Sequence, residues 1–259
     1  MIKGVLLDLD GVIYNDSKPI TGADETVAWL KEQFIPFRFI TNTTMKSRQT
    51  LAEKLASMNI QTKPENIFSA ASAAADFLRA KKKNRAMLLL LEDAKKEYRG
   101  IPQDEQNVDY VVVGDMGDAF TIPLLNKAFN CLMQGAQLIA LQKNRFWLSD
   151  EGYRMDAGAF VALLEYASNQ SSVLIGKPSA EFYRLALKSL GLKPEETLMV
   201  GDDVESDIAG AAAIGIKTCL MKTGKFREQD LARSAVKPDW ILPGIADLPK
   251  LLQDVGINR

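Results

Sequence analysis

Histidine does not occur anywhere in the 259 residues of this chain. Its absence excludes catalysis by Ser-His-Asp or Cys-His groups, zinc sites with histidine ligands, and phosphohistidine on this chain. Only two cysteines are present, Cys131 and Cys219, in apolar stretches without a CxxC spacing, which favours buried side chains over a disulfide or a metal site. Any chemistry must therefore use carboxylates, lysine, hydroxyl groups, backbone amides or a metal held by oxygen atoms.

An excess of charge of either sign is also missing, since 32 basic and 33 acidic residues give a net charge of −1. This balance provides no overall field for nucleic acid or an anionic membrane, so neither is expected as a partner. No apolar run approaches the length of a membrane span, and the first predicted strand begins almost at Met1, which leaves no room for a signal peptide. These observations predict a cytoplasmic protein.

Short apolar runs alternate with segments of helical periodicity, a pattern typical of a βαβ sheet. GVLLDLD, PFRFITN and TLMVGDD predict strands, whereas ADETVAWLKEQF, AGAFVALLEYAS and the small-residue segment SDIAGAAAIG predict helices. The chain is long enough for one large domain or two modest ones with hydrophobic cores. The expected fold class is therefore α/β, and the lack of a GxGxxG after the first strand argues against dinucleotide binding.

Polar residues follow four of the predicted strands at the point where each strand ends. They are Asp8 and Asp10, Thr41 and Asn42, Lys177, and the group Asp202, Asp203 and Asp207. Because open α/β sheets bind ligands at the carboxyl ends of their strands, we expect these side chains at one edge of a sheet. Each also has a structural explanation alone: Asn42 could end a turn, Lys177 could be a surface lysine, and Asp207 could cap a helix.

Carboxylates gathered at one edge cannot all ionise without a counter-charge, which a divalent cation would supply. Oxygen ligands, with no histidine and no cysteine motif, point to Mg²⁺. Lys177 and the hydroxyl group of Thr41 suit an anionic substrate such as a phosphate. One aspartate could attack phosphorus, and a second could protonate the leaving oxygen and later activate water.

The ordered motifs DLDGV, ITN, GKP and GDDVESD resemble the four motifs of the haloacid dehalogenase (HAD) superfamily, over essentially the whole chain. The long gap between Asn42 and Lys177 is similar to that of type IIA, NagD-like members, which insert a cap domain there. The resemblance implies a Rossmann-like parallel-sheet HAD core, residues 1–80 and 173–259, with an inserted α/β cap of the C2 type at residues 81–172. The stretches RFITNTT, LLEYAS, VLIGKPS and MKTGKFRE are similar to one branch of this group.

The resemblance also implies the roles of the aspartates. Asp8 is expected to be the nucleophile and a metal ligand. Asp10 is expected to be the acid and base and to bind the metal through its backbone carbonyl. Asp202 would complete the protein ligands of Mg²⁺, with Asp203 or Asp207 in an outer position.

The remaining motif residues are expected to bind the substrate. By resemblance, Thr41 and Asn42 would hold the transferring phosphoryl group, and Lys177 would neutralise it and orient the nucleophile. Many type IIA members carry an Asn-x-Asp substrate loop in the cap, where this chain reads LQKNRFW. Residues 143–145, and Arg145 above all, could instead meet an anionic substrate.

These features together predict a Mg²⁺-dependent phosphatase of small phosphorylated metabolites that forms an aspartyl-phosphate. Dehalogenation is disfavoured because the family's dehalogenases lack the residue that Asp10 matches. A phosphomutase and a phospho-acceptor protein of the receiver type are left as alternatives. A homodimer through the cap is a further expectation.

Overall fold

The computed structural model describes residues 1–149 and 152–257. Its internal contacts divide the chain into two compact units. The first, called the core unit below, comprises Met1–Thr41, Gln49–Phe68 and Lys177–Arg259, and the second, the cap unit, comprises Asn42–Arg48 and Ser69–Gly176. The two units do not begin and end at the expected domain boundaries, 80/81 and 172/173. Those boundaries stay a prediction.

Strands and helices alternate through both units. The strands are β1 Gly4–Asp8, β2 Tyr14–Asn15, β3 Lys18–Pro19, β4 Phe37–Thr41, β5 Ile67–Ser69, β6 Ala86–Leu89, β7 Tyr110–Val113, β8 Gln137–Ala140, β9 Phe146–Ser149, β10 Gly152–Met155, β11 Val173–Leu174, β12 Thr197–Gly201, β13 Lys217–Met221 and β14 Trp240–Leu242. The helices are α1 Ala23–Glu32, α2 Arg48–Ser57, α3 Ala70–Arg79, α4 Glu92–Lys95, α5 Ile122–Met133, α6 Ala157–Ser168, α7 Ala180–Leu190, α8 Gly210–Ala212, α9 Glu228–Arg233 and α10 Leu248–Asp254.

A six-stranded sheet in the order β14-β13-β12-β1-β4-β5 forms the centre of the core unit. β1 pairs in parallel with β12 on one side and β4 on the other, and β13 and β14 continue the parallel pairing beyond β12. Every residue of β1 and of β12 is buried, which explains why both read as continuous apolar runs rather than alternating ones. The predicted parallel-sheet α/β core is therefore confirmed.

The cap unit has its own parallel sheet in the order β11-β8-β7-β6. One hydrophobic core joins this sheet to α5 and α6, with Leu125 and Val161 among its buried members. The antiparallel hairpin of β9 and β10 follows the sheet strand β8. This unit therefore has the α/β composition predicted for the cap.

The small-residue segment SDIAGAAAIG differs from the α-helix that the sequence predicts. Residues Val204–Ala209 form a π-helical turn, which continues into the short helix α8. The backbone N–H groups of Asp207 and Ile208 both donate to the carbonyl of Asp203, at 2.9 and 3.2 Å, so the first turn is wider than an α-helical one. Wide turns of this kind are frequent at functional sites, and this one carries Asp207.

No helix in the described part of the chain is both long enough and apolar enough to cross a membrane.

Candidate active site

The carboxyl ends of three neighbouring strands of the core sheet meet at one edge. Asp8 is the last residue of β1 and lies beside Ile40 of β4, so Thr41 follows it at the end of the adjacent strand. On the other side Leu7 lies beside Val200 of β12, and Asp202 comes directly after that strand. Because all three strands are parallel, the polar residues that end them are brought to the same edge.

A buried ion-pair group lies at this edge. Nζ of Lys177 is 2.8 Å from Oδ1 of Asp8 and 2.7 Å from Oδ1 of Asp207. All three side chains are buried, so the lysine is not the surface residue that its place before a proline would allow. The backbone N–H of Leu9 also donates to Oδ1 of Asp8, at 2.8 Å. One oxygen of the Asp8 carboxylate is thus held by two donors, which fixes the orientation of the group.

Asp202 is held at the same edge by a loop from the far end of the core unit. Its Oδ2 accepts a hydrogen bond of 2.6 Å from the backbone N–H of Lys225. Gly11 and Gly224 lie against this oxygen with φ of +88° and +54°, and a Cβ atom would stand 1.9 Å from it at Gly11 and 2.0 Å at Gly224. The hydroxyl group of Thr223 donates to the carbonyl of Gly11. Glycine at both positions therefore lets two backbone segments close around one carboxylate.

Sequence reasoning missed the role of this Thr223–Lys225 loop. In the sequence, the stretch MKTGKFRE is distinguished only by its similarity to one branch of the family. A glycine shortly after the apolar run KTCLM was a usable signal, since it marks a turn at the carboxyl end of a parallel strand. The donor itself is a backbone N–H, which residue type does not reveal.

The electrostatics of the site are dominated by burial and by carboxylates facing one another. Burial and then the neighbouring charge of Asp207 raise the pKa of Asp202 to about 6. Burial and then the charge of Asp8 raise the pKa of Asp207 to about 7. Burial works against the charged form of Lys177, but the carboxylates of Asp207 and Asp8 outweigh it and raise its pKa. One ammonium group therefore does not balance the acidic groups around it.

The donor set fits a divalent cation with a preference for oxygen. Asp8, Asp202 and Asp207 each offer a carboxylate oxygen, and the three atoms lie within 4.8 Å of one another. Oδ1 of Asp202 is buried and has no hydrogen-bond partner within the described ranges 1–149 and 152–257. An unpaired buried carboxylate oxygen is costly, and a bound cation would satisfy it. Hard, oxygen-only ligands of this kind suit Mg²⁺.

Three other candidate residues of the core unit lie outside that group of carboxylates. Asp203 caps the turn that follows it, where its Oδ1 accepts from the backbone N–H groups of Glu205 and Ser206, at 3.0 and 2.9 Å. The cap of this turn is therefore Asp203 and not Asp207. Asp10 is exposed two residues beyond Asp8, and Thr41 is buried at the end of β4. The expected contact of Asp10 with the metal is made by its backbone carbonyl. The group of carboxylate oxygens described above therefore does not test it.

Two candidate residues belong to the cap unit. Asn42 begins the segment Asn42–Arg48, and its Oδ1 would be 2.8 Å from a Cβ atom at Gly176. Arg145 is exposed beside the ring of Phe146, with 5.8 Å between the guanidinium carbon and the ring centroid. Its neighbour Lys143 instead forms an ion pair of 2.9 Å with Glu165. Glu165 therefore balances the charge of Lys143, and it does not balance that of Arg145.

Comparisons with known proteins identify the family of the chain. A family model described as haloacid dehalogenase-like hydrolase matches residues 5–101, and a HAD-hydrolase-like model matches residues 174–248. Haloacid dehalogenase-like hydrolase domain-containing protein 2 of Bos taurus is 37% identical over 229 residues, covering 88% of this chain and 87% of that protein. Phospholysine phosphohistidine inorganic pyrophosphate phosphatase of Homo sapiens is 34% identical over 257 residues, covering 97% and 94%. The structure of NagD from E. coli K-12 superposes with a TM-score of 0.88 at 28% identity, covering 95% and 98%.

The parallel core sheet, the Asp-x-Asp motif at the end of β1 and these similarities define a hydrolase of the phosphatase class. The chain belongs to the haloacid dehalogenase-like hydrolase family, in its NagD-like type IIA group. The resemblance noted in the four sequence motifs is thereby confirmed.

Proposed function

We propose that this chain hydrolyses small phosphorylated metabolites through an aspartyl-phosphate on Asp8, with Mg²⁺ as its cofactor. The observation that carries this proposal is the buried group in which Lys177 contacts Asp8 and Asp207, next to the unpaired Oδ1 of Asp202. A nucleophilic carboxylate needs a fixed orientation and neighbouring positive charge when it approaches a phosphate. The lysine and the backbone N–H of Leu9 supply the orientation.

In the first step, the carboxylate of Asp8 attacks phosphorus and the bond from phosphorus to the leaving oxygen breaks. Since Lys177 and Leu9 both donate to Oδ1, we assign the attack to Oδ2. Asp10, two residues further on and exposed, gives its proton to the leaving alcohol oxygen. The products of this step are the free alcohol and the phosphorylated side chain of Asp8.

In the second step, water attacks phosphorus and the bond from Asp8 to phosphorus breaks. Asp10, now a carboxylate, takes a proton from the attacking water and returns to its starting state. Thr41 and Asn42 would donate hydrogen bonds to the phosphoryl oxygens in both steps, and the ammonium group of Lys177 would offset their charge. The enzyme is regenerated with inorganic phosphate as the second product.

The carboxylates of Asp8 and Asp202 would hold Mg²⁺, together with the backbone carbonyl of Asp10. Asp207 lies in the same group of carboxylates and also binds Lys177, so it would act in the outer position. Asp203, which caps its own turn, would support the site only through the backbone. When bound, the cation would neutralise the phosphate and stabilise the charge that develops during transfer.

Substrate selection would fall to the cap unit. The exposed Arg145 offers a positive charge to an anionic group remote from the transferring phosphate. One relative is named for phospholysine, phosphohistidine and inorganic pyrophosphate, which extends the candidate substrates from phosphate esters to P–N and P–O–P bonds. A mutase or a phospho-acceptor protein would need the same nucleophile, but the relatives are hydrolases by name and do not favour either alternative.

The experiment that tests the function is phosphate release from a panel of compounds, with Mg²⁺ or with EDTA. The panel holds sugar, nucleotide, amino-acid and cofactor phosphates, phosphohistidine, pyrophosphate and p-nitrophenyl phosphate. We expect release that requires Mg²⁺ and is lost in Asp8→Asn, because an amide oxygen is a far weaker nucleophile than a carboxylate. The matched control is Asp230→Asn, which changes an exposed carboxylate on α9 of the same unit and is expected to leave the rate unchanged.

Three outcomes would count against the proposal. Wild-type rates in Asp8→Asn would refute the nucleophile, and full activity in EDTA would refute the cofactor. A stable aspartyl-phosphate without turnover would favour the phospho-acceptor alternative.

We also propose that two copies of the chain associate through the outer face of α6. Leu163 and Tyr166 are exposed there, and Ala162 and Ala167 flank them, so this face is apolar and carries no charge. In a two-fold dimer the same face meets itself, and an uncharged face avoids placing like charges together. We expect a dimeric mass in sedimentation equilibrium that becomes monomeric in Leu163→Asp, whereas Tyr153→Asp, a control on the β9–β10 hairpin, stays dimeric. A monomeric wild-type protein would refute the dimer.

A further inference from the structure

The segment Asn42–Arg48 follows strand β4 directly, yet its contacts group it with the cap unit. It begins with Asn42, the proposed phosphoryl ligand, and ends at Arg48, where helix α2 starts. The chain therefore leaves the core sheet after Thr41 and returns to the core unit at Gln49. What holds this segment consequently decides how Asn42 is presented.

Two carboxylates hold the second half of the segment. Asp93 accepts from the backbone N–H and the hydroxyl group of Ser47, at 2.9 and 3.2 Å. Glu97 accepts from the backbone N–H and Nε of Arg48, at 2.7 and 2.8 Å. Hydrogen bonds to an ionised carboxylate are stronger than neutral ones. The two acceptors also meet N–H groups at the start of a ten-residue helix, where no intrahelical acceptor is present.

These contacts are partly shielded from water, and Glu97 is also bound by a second element of the cap unit. Ser47 is 1% exposed and Glu97 is 6% exposed, whereas the side chains of Asp93 and Arg48 are 23% and 28% exposed, so each pair has one buried partner. The guanidinium group of Arg79, on α3, donates to the backbone carbonyl of Glu97. Glu97 is therefore tied to a second element of the cap unit while its carboxylate holds Arg48.

The first half of the segment is held by close packing. The hydroxyl group of Thr44 accepts a hydrogen bond of 2.8 Å from the backbone N–H of Asp115. A Cβ atom at Gly114 would lie 3.0 Å from Cβ of Thr44, so the two backbones approach closely. With Thr44 fixed at one place and Arg48 at another, the segment has little freedom to move apart from the rest of its unit.

We propose that Asp93 and Glu97 are positioning residues for catalysis, which fix the segment Asn42–Arg48 and thereby the placement of Asn42 on the phosphoryl group. The proposal rests on the proposed function, because the role of Asn42 comes from there. It implies that a feature of the cap unit, remote in sequence from all four motifs, sets the affinity of the site for phosphate.

The test measures kcat and KM for p-nitrophenyl phosphate and the inhibition constant of inorganic phosphate, in Glu97→Gln and Asp93→Asn. Both changes remove the charge at nearly constant volume. Losing one charge-assisted hydrogen bond corresponds to about a tenfold change in an equilibrium constant. We expect KM and the inhibition constant to rise about tenfold in Glu97→Gln and less in Asp93→Asn, while kcat falls by a smaller factor than KM rises.

The matched control is Glu105→Gln, which removes a carboxylate paired with Lys127 at the surface of the same unit and is expected to leave all three constants unchanged. Melting temperatures are recorded for every variant. A purely structural role of the carboxylates would lower the melting temperature and the active fraction, hence kcat, and would leave KM and the inhibition constant as in the wild type. That result would overturn the proposal.

Asp93 is the less buried of the two, with 23% of its side chain exposed, so Asp93→Asn keeps the test decisive if Glu97→Gln does not fold. Wild-type constants in a folded Asp93→Asn would then overturn the proposal. Absence of phosphate release by the wild-type protein would instead refute the proposed function, and the positioning role with it.

Discussion

The binding of Mg²⁺ should stabilise this protein strongly at pH 8 and hardly at all at pH 5. The pKa values of Asp202 and Asp207 are raised to about 6 and about 7, chiefly by burial. A carboxyl group with a raised pKa stabilises the folded state below its unfolded pKa, and this contribution is lost as the pH rises through the folded pKa. Without the cation, these two groups therefore favour folding at low pH. A cation held by Asp202, with Asp207 in the outer position, requires both groups to be deprotonated, so its contribution has the opposite sign.

The magnitudes follow from the same two pKa values. At a free Mg²⁺ concentration of 100 times the dissociation constant, binding adds about 2.7 kcal/mol to the free energy of unfolding. At pH 5, releasing the protons of Asp207 and Asp202 would cost on the order of 3 and 1 kcal/mol, since each pH unit below a pKa is worth about 1.4 kcal/mol. The cost exceeds the gain, so the stabilisation disappears. At pH 8 we expect the melting temperature to rise by about 5–10 °C.

Thermal unfolding followed by circular dichroism, with MgCl₂ or with NaCl of equal ionic strength at each pH, measures this difference. The matched variant is Asp202→Asn, which should lose the gain at pH 8 because it lacks the carboxylate with the unpaired Oδ1. Equal gains at both pH values would show that the cation does not bind beside these two carboxylates. A full gain in Asp202→Asn would refute the assignment of the site.

Three further substitutions probe the geometry. Gly11→Ala is expected to cost about 1–2 kcal/mol of unfolding free energy from its positive φ alone, and to weaken Mg²⁺ binding, measured by calorimetry, because the new Cβ atom would stand 1.9 Å from Oδ2 of Asp202; unchanged affinity would contradict the close approach. Lys177→Met should abolish turnover and cost about 3–5 kcal/mol in denaturant unfolding, because it leaves two buried carboxylates without their counter-charge; a stable, active variant would disprove the ion-pair group. Arg145→Gln should raise KM for substrates with a second anionic group while changing the unfolding free energy by less than about 0.5 kcal/mol. Lys143→Gln, the control, should leave KM unchanged. Equal effects of the two substitutions on KM would count against a specific role for Arg145.

Much of the core could be predicted because its signals are local. β1 and β12 are buried on both faces, so their apolar runs identify them as central strands without any knowledge of their neighbours. Parallel pairing then places Asp8, Thr41 and Asp202 at one edge, as the sequence predicts. The helix α6 coincides with the stretch AGAFVALLEYAS, whose pattern is continuous from end to end.

The choice between Asp203 and Asp207 could not be made in this way. Both are aspartates of one short motif, and an aspartate can either cap a turn or bind a metal. The wide turn lets the Asp207 carboxylate accept from the backbone N–H of Asp203 at 3.1 Å and from Lys177 at 2.7 Å. The contact between Lys177 and Asp207 joins residues 30 positions apart, and no pattern in the local sequence predicts it.

The boundary of the cap unit depends on contacts of the same long-range kind. The sequence places the segment Asn42–Arg48 beside the motif ITN, and therefore with the core. Its partners Asp93 and Glu97 lie 46 and 49 residues further along the chain from Ser47 and Arg48. Both partners belong to an acidic and basic stretch, LEDAKKEY, that reads as an ordinary solvated helix. Nothing in this stretch indicates that Glu97 is buried, because burial is a property of the folded chain.

The candidate site is consequently a product of tertiary structure rather than of its motifs taken singly. Asp8 is oriented by Lys177, and Asp202 is held by Gly11 and Lys225, so every carboxylate of the site depends on a distant part of the chain. Removing only the ammonium group of Lys177 would leave the carboxylate of Asp8 buried without its counter-charge. Because an isolated buried carboxylate takes up a proton rather than remain charged, Asp8 would then lose its proposed roles as nucleophile and metal ligand together.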